Sequence, residues 1–197
     1  MELFVEFGVG GHIDDAVWAW SFELAHWGLC GQGFDEISAV DAFISQIGGR
    51  STDVVIRERI YGDEQSFERD RQPAQQRERD RTKEILRLTR PRTMEVLAAC
   101  TPEQLDWVDP ERKLPAWATW YTLRAMGWHI VNTESRYYLA RLGVDPPESS
   151  EDLMCELRNS ADHVERTIDA LPADVIIEVK GEVWTTTKVL RDRKSVV

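Results

Sequence analysis

The hydrophobic periodicity of the chain changes across a charged stretch, and this change constrains the fold more than any other feature of the sequence. Up to residue 62, apolar residues alternate with polar ones, as in half-buried strands. From about residue 76 they recur three or four positions apart, as on one face of a helix. The residues between are mostly Glu, Asp, Arg and Gln. The pattern predicts an α+β protein with a strand-rich unit at 1–62, a charged linker at 63–75 and a helical unit at 76–197.

Residues 1–62 predict a β-β-β-α-β order. Leu3, Val5 and Phe7 alternate with polar or outward positions, residues 17–22 are β-branched and aromatic, and a third strand falls near 28–32. Apolar residues at helical spacing over 34–47 stop at Gly48-Gly49, which is a typical helix end. Residues 53–60 then predict a returning strand. Such a unit buries one sheet face under one helix.

The second part of the chain predicts an antiparallel helical bundle. A first helix covers 76–100, where Pro91 should bend or divide it. Thr101-Pro102-Glu103-Gln104 has the pattern of a capping box and predicts a short helix. The broad apolar surface of 115–142 predicts the most deeply buried helix, and 149–171 predicts another with its cap at 149–152. An extended segment at 175–179 is followed by a short last helix from 184 to about 194.

The short last helix leads to an expectation about partners. A bundle whose last member is short leaves a groove open, and the groove should expose apolar surface of the kind that marks interfaces. We therefore expect a homodimer or a partner helix in this groove.

Composition and charge exclude several classes of protein. The 197 residues carry a formal charge of −11, and residues 1–63 hold eleven acids against three bases, so nucleic-acid binding by this part is not expected. No window reaches the ~18 apolar residues of a membrane helix, and no signal-type segment leads the chain, which favours a cytoplasmic location. Cys30, Cys100 and Cys155 form no CxxC pair, which argues against a disulfide framework or a zinc knuckle.

The motifs of common enzyme classes are missing from the sequence. Gly31-Gln32-Gly33 follows a strand and precedes a helix, as in a dinucleotide fingerprint, but Glu36 stands where the third glycine belongs. A tight turn is the favoured interpretation of these glycines. The sequence has no GxxxxGK[ST], GxSxG or HExxH pattern for a phosphate loop, a serine hydrolase or a zincin. The basic stretch 69–92 is interpreted as a solvated helix face held by i,i+4 pairs, with a surface for an anionic partner as the alternative.

His129 is the candidate site residue, because it lies among Trp128, Ile130 and Val131 in the most apolar predicted helix. It is either a hydrogen-bonded core residue or a group that binds metal or transfers a proton. Glu134, in the same helix, points about 140° away from it in α-helical geometry, at 100° per residue. We expect Glu134 to pair with Arg124 or another base, or to orient a histidine. The remaining histidines, His12, His26 and His163, are interpreted as surface or edge residues.

The order of these helices resembles a known family. The Leu-x-x-Cys-Thr-Pro-Glu-Gln-Leu-Asp-Trp turn at 97–107 and the segment Trp128-His129-Ile130-Val131-Asn132-Thr133-Glu134 resemble the DinB/YfiT-like four-helix bundles, whose helix carries a His-Ile-x-x-x-Glu pattern. The resemblance covers roughly residues 76–190. Residues 1–62 resemble the HicB-like β-β-β-α-β fold, with 24–33 in place of its Leu-Pro-Gly-Cys segment and the turn that follows.

The resemblance to the DinB-like family implies a metal site with one histidine in the second helix and a His-x-x-x-His pair late in the fourth. His129 matches the first position, but after residues 185–190 the sequence reads Arg-Asp-Arg-Lys-Ser-Val-Val and supplies neither of the others. One imidazole does not complete a site of three protein ligands and a water. We therefore expect a degenerate, non-catalytic member with a binding or regulatory role and no bound cofactor.

Two alternatives remain open at this stage. The first is a metal-dependent transferase or isomerase that uses a low-molecular-weight thiol, with His129 as one ligand to zinc or nickel and other ligands from His163 or from His12 or His26 of another subunit. The second alternative is that the protein is a toxin–antitoxin type of partner protein, as the HicB-like resemblance of residues 1–62 implies. No basic helix-turn-helix or ribbon pattern in the sequence supports operator binding.

Overall fold

The computed structural model of the protein describes residues 1–10, 15–49, 54–116 and 118–192. The chain divides into two compact units. Met1–Thr82 and Pro172–Asp192 form one, called here the sheet unit, and the other, the helical unit, covers Lys83–Leu171. The elements in chain order are β1 (Glu2–Val9), β2 (Ala16–Trp20), a 3-10 turn (Leu24–His26), β3 (Cys30–Gly33), α1 (Glu36–Gln46), β4 (Val55–Tyr61), α2 (Gln76–Ala99), α3 (Pro102–Leu105), α4 (Leu123–Val131), a π-helical segment (Asn132–Tyr138), α5 (Leu139–Arg141), α6 (Leu153–Ile168), β5 (Ile176–Val179), β6 (Glu182–Thr185) and α7 (Thr186–Arg191).

The predicted β-β-β-α-β order of the first 62 residues is confirmed. Its four strands form one sheet in the order β3-β2-β1-β4. β2 pairs antiparallel with both β1 and β3, whereas β4 returns after α1 and pairs parallel with β1. Val5 lies opposite Ala19 of β2 on one side and Arg59 of β4 on the other, so β1 lies between β2 and β4.

One face of the sheet packs against α1. The helix begins at Asp35, whose side chain accepts a hydrogen bond from the Ser38 amide in a capping box. The core that the helix shares with the sheet comprises Leu3, Val5, Val17, Ala19, Ala39, Phe43 and Ile44. Because side chains alternate along a strand, the residues between these point to the opposite face.

The opposite face carries a second, more aromatic core. It comprises Phe4, Val9, Ala16, Trp18, Trp20 and Phe67. Phe67 and the fully buried Asp70 belong to the segment 63–75, which the sequence predicted as a charged linker. The structure buries these two side chains in the sheet unit, whereas Glu68, Arg71 and Gln72 of the same segment are exposed.

The last part of the chain differs from its prediction. The expected strand at 175–179 is confirmed as β5, but Trp184 lies in β6, which pairs antiparallel with β5, and not in a helix. The helix begins only after Thr185, whose hydroxyl accepts a hydrogen bond from the Lys188 amide. Residues 172–192 group with the sheet unit. The short last helix therefore groups with the sheet unit and not with the helical unit; its predicted end, beyond residue 192, lies outside the described residues.

In the helical unit, the predicted helix boundaries are partly corrected. α2 runs through Pro91 without a division, and the predicted capping box at Thr101 and Gln104 is present. The apolar helix expected over 115–142 begins only at Leu123, because Thr122 adopts an extended backbone and its hydroxyl caps the Ala125 amide. Trp117, which was expected in this helix, lies outside the described residues.

α4 continues into a π-helical segment and then into α5, and α6 follows after a loop. Asp152 caps α6 by accepting a hydrogen bond from the Cys155 amide, within the predicted cap region. Leu97, Val131, Leu153 and Leu157 form the apolar core of this unit. None of the helices over the described ranges combines the length and the apolar character needed to cross a membrane.

Candidate functional site

His129 lies near the end of α4 and is half-buried. Its ring stacks on the Trp120 indole with the ring centroids 4.1 Å apart. Its Nδ1 atom lies 3.4 Å from the Thr133 hydroxyl, one helical turn further along. These two contacts orient the imidazole, and neither an indole nor a hydroxyl is a strong metal ligand.

The residues present do not fit the metal centre that the DinB-like resemblance implies. Within the described part of the chain, no group of three or more His, Cys, Asp or Glu side chains is arranged to hold a metal ion. His26 belongs to the sheet unit, where its Nδ1 lies 3.6 Å from Glu23. His163 lies on α6, and His12 lies outside the described residues. No chemical step is assigned to a metal.

The helical unit contains a buried ion pair that the sequence did not predict in full. Glu134 pairs with Arg90 of α2, and the two side chains are 1% and 6% exposed. The expectation that Glu134 pairs with Arg124 or another base is met by Arg90, since Arg124 instead pairs with the exposed Asp106. Arg90 lies within the stretch 69–92 that was interpreted as a solvated face. The sequence feature that indicated burial of Arg90 was its spacing, four residues after Leu86 and seven before Leu97, which places it on the apolar face of α2.

Two serine hydroxyls connect α6 to this ion pair. The Ser160 hydroxyl donates to Glu134 Oε2 at 3.1 Å, and it lies 2.8 Å from the Ser135 hydroxyl. Because the Ser160 proton is directed to the carboxylate, Ser135 is the donor in the second bond. The result is a chain of hydrogen bonds from Ser135 through Ser160 to Glu134, and both serines are buried. Their small polar side chains carried no distinguishing pattern in the sequence.

A second buried carboxylate, Glu156, lies on α6 one helical turn before Ser160. Glu156 is fully buried, and one of its oxygens accepts from Arg136 while the other accepts from the Ser150 amide at 2.9 Å. Glu134, Ser135 and Arg136 all belong to the π-helical segment. π-Helical turns occur mostly as local features inside α-helices and are frequent at functional sites. Here the segment presents a carboxylate, a hydroxyl and a guanidinium within three consecutive residues.

The Arg90–Glu134 pair does not use all of its hydrogen-bonding capacity. Arg90 Nε and Nη1 are buried and receive no hydrogen-bond partner from the described residues. Glu134 Oε1 is also buried and likewise accepts no hydrogen bond from them. Buried polar groups without partners are uncommon in folded proteins, and each such group calls for an explanation. These are the polar atoms of the pair that stay unsatisfied among the described residues, and each is closed to solvent.

His163 lies on α6 three residues after Ser160. Burial, followed by the positive charges of Arg166 and Arg136, lowers the pKa of His163 below its ordinary value of 6.5. Each cause disfavours the charged imidazolium. The neutral ring is therefore the stable form near neutral pH, and His163 adds no charge to the Arg90–Glu134 and Arg136–Glu156 pairs.

The sheet unit carries an open cleft of about 850 Å³. It is lined by Glu2, Phe4, Phe22, Glu23, Arg57, Glu58, Glu68, Arg69 and Gln72. Several polar groups of this cleft already have partners. Arg69 pairs with Glu78 and lies over the Phe22 ring, and the Glu58 carboxylate accepts from the Glu68 amide at 3.0 Å. The Arg90–Glu134 pair differs in that some of its buried polar atoms have no hydrogen-bond partner among the described residues.

Comparisons with models of protein families, with curated proteins and with solved structures give no match for this chain.

Proposed function

We propose that the protein is a binding protein without turnover, whose helical unit holds a small molecule at the Arg90–Glu134 pair in a binding or regulatory role. On this proposal the helical unit is a DinB-like bundle that lacks the family's metal centre. The supporting observation is the unused hydrogen-bonding capacity of a pair that is more than nine-tenths buried. Desolvating two charges is costly, and a natural core usually meets that cost by satisfying every remaining donor and acceptor.

The chemistry of the cluster favours binding over catalysis. Glu134 is held by the Arg90 guanidinium, which compensates its charge and donates a hydrogen bond to its Oε2 atom. The serine protons run toward that carboxylate, and no histidine is hydrogen-bonded to either serine among the described residues. A serine nucleophile needs an adjacent base that is itself oriented by a third group, and this arrangement lacks one.

The experiment that tests this proposal is a thermal-shift screen of the full chain against a library of small polar metabolites. We expect at least one compound to raise the midpoint of unfolding in a concentration-dependent manner, since a ligand that binds only the folded state stabilises it by mass action. The same compound should have no effect on the double variant Arg90→Met/Glu134→Leu. This variant replaces both charges with apolar groups of similar size and leaves no uncompensated charge in the core.

The matched control is Arg87→Met, one turn earlier on α2. Arg87 pairs with Glu165 at the surface, where its side chain is 62% exposed. The variant removes a similar side chain and charge from the same helix, so ligand binding should be retained. A library without any stabilising compound, or one whose effects persist in the double variant, would contradict the proposal.

Self-association is a separate proposal, because its expected groove is not formed by α7. A protein of 22.7 kDa per chain would give twice that mass by light scattering if it forms a homodimer. A monomer at micromolar concentration would contradict the dimer and leave only a different protein as partner.

A further inference from the structure

We propose that the open cleft of the sheet unit binds a small organic cation with an apolar body, such as an alkyl- or arylammonium compound. This site goes beyond the function proposed for the helical unit, because every residue that lines the cleft belongs to the sheet unit. Three observations support it: the room in the cleft, the aromatic rings in its lining, and the sign of the charges around them.

The cleft has room for a small molecule. Its volume is about 850 Å³, within the range of about 300–1,000 Å³ that is usual for small-molecule sites. Phe4 is buried and Phe22 half-buried, and their rings meet edge to face with the centroids 4.6 Å apart. These rings supply apolar surface against which the methylene or aromatic groups of a ligand pack. A ligand that fills the cleft therefore needs an apolar body as well as a polar group.

The charged residues of the lining are mainly acidic. The lining contains four glutamates and two arginines, so it carries a formal charge of −2. Arg69 pairs with the buried Glu78, which lies outside the lining and compensates its charge separately. Arg57 lies 4.0 Å from Glu2, and both side chains are more than half exposed, so this contact is a weak surface pair. The charge that faces a ligand is therefore negative, which favours cations and disfavours anions.

Three of these glutamates, Glu23, Glu58 and Glu68, form no ion pair with a described arginine or lysine. Glu23 lies 3.6 Å from the His26 ring, which is a cation only when it is protonated. Both oxygens of Glu58 lie 3.0 Å from the Glu68 amide, a neutral donor that holds the carboxylate in place. The Glu68 side chain is exposed. Ionised carboxylates of this kind accept strong, charge-assisted hydrogen bonds from an ammonium group.

Arg69 shows how a cation is held in this cleft. Its guanidinium lies 5.5 Å from the centre of the Phe22 ring and pairs with the Glu78 carboxylate. An organic cation combines the same two contacts, a carboxylate and an apolar surface. A metal ion would need several ligands around one point, and no three His, Cys, Asp or Glu side chains of the described ranges are arranged in that way. The lining therefore favours an organic cation over an inorganic one.

The test compares probes of similar shape on the full chain. Benzylammonium, benzyl alcohol and benzoate carry a positive, zero and negative charge on the same ring, and methylammonium carries the charge without the ring. Binding is followed by heteronuclear NMR of the backbone amides. We expect benzylammonium to shift the amides of residues 22–23 and 68–72 in a saturable manner, with a dissociation constant of about 5 mM or tighter. Benzyl alcohol and methylammonium should bind at least about tenfold more weakly, and benzoate should leave these amides unshifted.

The variant Glu68→Gln tests the role of the carboxylates. It removes one negative charge from an exposed side chain of nearly unchanged size, so the fold should be retained. We expect it to weaken benzylammonium binding about threefold at about 0.02 M salt and less at about 0.5 M, where charges are screened. The matched control is Asp41→Asn on α1, which removes an exposed acid on the opposite face of the sheet. This control should bind benzylammonium like the wild type.

Four outcomes would overturn the inference. Benzyl alcohol or benzoate that binds as tightly as benzylammonium would show that charge does not select the ligand, and methylammonium that does so would exclude the apolar body. Equal binding by Glu68→Gln and Asp41→Asn would remove the carboxylates from the site. Unshifted amides at 22–23 and 68–72 with every probe would show that the cleft holds no such ligand. None of these outcomes affects the proposed function, because the Arg90–Glu134 pair belongs to the helical unit.

Discussion

Arg191 donates two hydrogen bonds to Asp70 inside the sheet unit, from Nε to Oδ1 at 3.0 Å and from Nη2 to Oδ2 at 2.8 Å, and neither side chain is exposed to solvent. The guanidinium also lies 4.4 Å from the centre of the Trp20 ring and 5.1 Å from that of Phe67. This contact joins the segment 63–75 to the end of α7, 121 residues further along the chain.

The charges around Arg191 keep it ionised. Burial by itself lowers the pKa of Arg191, but the negative charges of Asp70, Asp192 and Glu6, with the hydrogen bonds to Asp70, raise it above its ordinary value. The stacking of a guanidinium over aromatic rings adds a further favourable interaction. The pair is therefore a permanent ionic contact at the centre of the sheet unit, and one carboxylate oxygen also accepts from the Phe67 amide.

Removing only one partner should destabilise the sheet unit strongly. Arg191→Met leaves the Asp70 carboxylate buried without its cation, and we expect a loss of about 3–5 kcal/mol. Arg191→Met/Asp70→Leu should recover only part of this loss, because the buried carboxylates of Glu6 and Asp192 remain near the site. The measurement is calorimetric unfolding together with hydrogen exchange of the β1 and β2 amides, since a chain of two units need not unfold in a single two-state transition.

Arg57→Met is the surface control for this pair. Arg57 and Glu2 are 66% and 59% exposed and lie 4.0 Å apart, so this change should cost less than about 1 kcal/mol. An Arg191→Met protein with the stability of the Arg57→Met protein would show that the buried pair is not important for the fold.

Gly31 permits the close packing of α1 on β3. A Cβ atom at this position would lie 2.1 Å from the Ala39 carbonyl oxygen and 2.5 Å from the Phe43 nitrogen, both in the backbone of α1. These atoms do not move without shifting the helix, so Gly31→Ala should destabilise the sheet unit by about 1–3 kcal/mol or more. The glycines of this segment thus serve close approach within a strand and not the tight turn that the sequence favoured.

Gly49→Ala is the matched control for this substitution. Its nearest contact would be the Ile47 side chain at 3.4 Å, an ordinary distance, and the change should alter stability by less than about 0.5 kcal/mol. Thermal unfolding of both variants measures the difference, and equal midpoints would contradict the role assigned to Gly31.

Local patterns predicted the sheet unit well up to residue 62, because alternation and helix ends are encoded by neighbouring residues. Gly48 follows the end of α1, where a stop signal was expected. The place of Arg191 could not be predicted in this way, because an arginine is normally exposed and its partner is far away in sequence. The β5–β6 hairpin was missed in part because Trp184 was assigned to a helix.

The candidate site was predicted only in outline. Glu134 was expected to pair with a base. The prediction assumed regular α-helical geometry over these residues, so it did not include the π-helical segment, whose formation depends on packing. Arg90 was hidden within a run of charged residues, and Ser160 has no pattern that distinguishes it from other helix serines. These residues come together through tertiary contacts between three separate helices.

His163 should make stability depend on pH below neutrality. Its pKa is lowered in the folded state, by burial first and then by Arg166 and Arg136, so the unfolded chain binds more protons at pH values between the lowered value and 6.5. The folded state should therefore lose stability as the pH falls from 6.5 toward the lowered pKa. Well above pH 6.5, His163 should not make stability depend on pH. His163→Gln should reduce this slope between about pH 7.5 and about pH 5.5, as followed by thermal unfolding.

NMR titration of the His163 ring provides an independent measurement. A transition at or above 6.5, or a slope unchanged by His163→Gln, would refute the predicted linkage.

The last prediction concerns His129 and the metal. Its contacts with Trp120 and Thr133 orient the ring, and the described residues form no group of three or more His, Cys, Asp or Glu side chains that could hold a metal ion. We expect freshly purified protein to contain far less than one zinc or nickel ion per chain by plasma mass spectrometry, with the same content in His129→Ala. His129→Ala should instead lower stability by about 1–3 kcal/mol through the lost stacking on Trp120. One metal ion per chain, lost in His129→Ala, would contradict the degenerate site and favour the thiol-dependent transferase or isomerase, with the missing ligands to be sought on a second subunit.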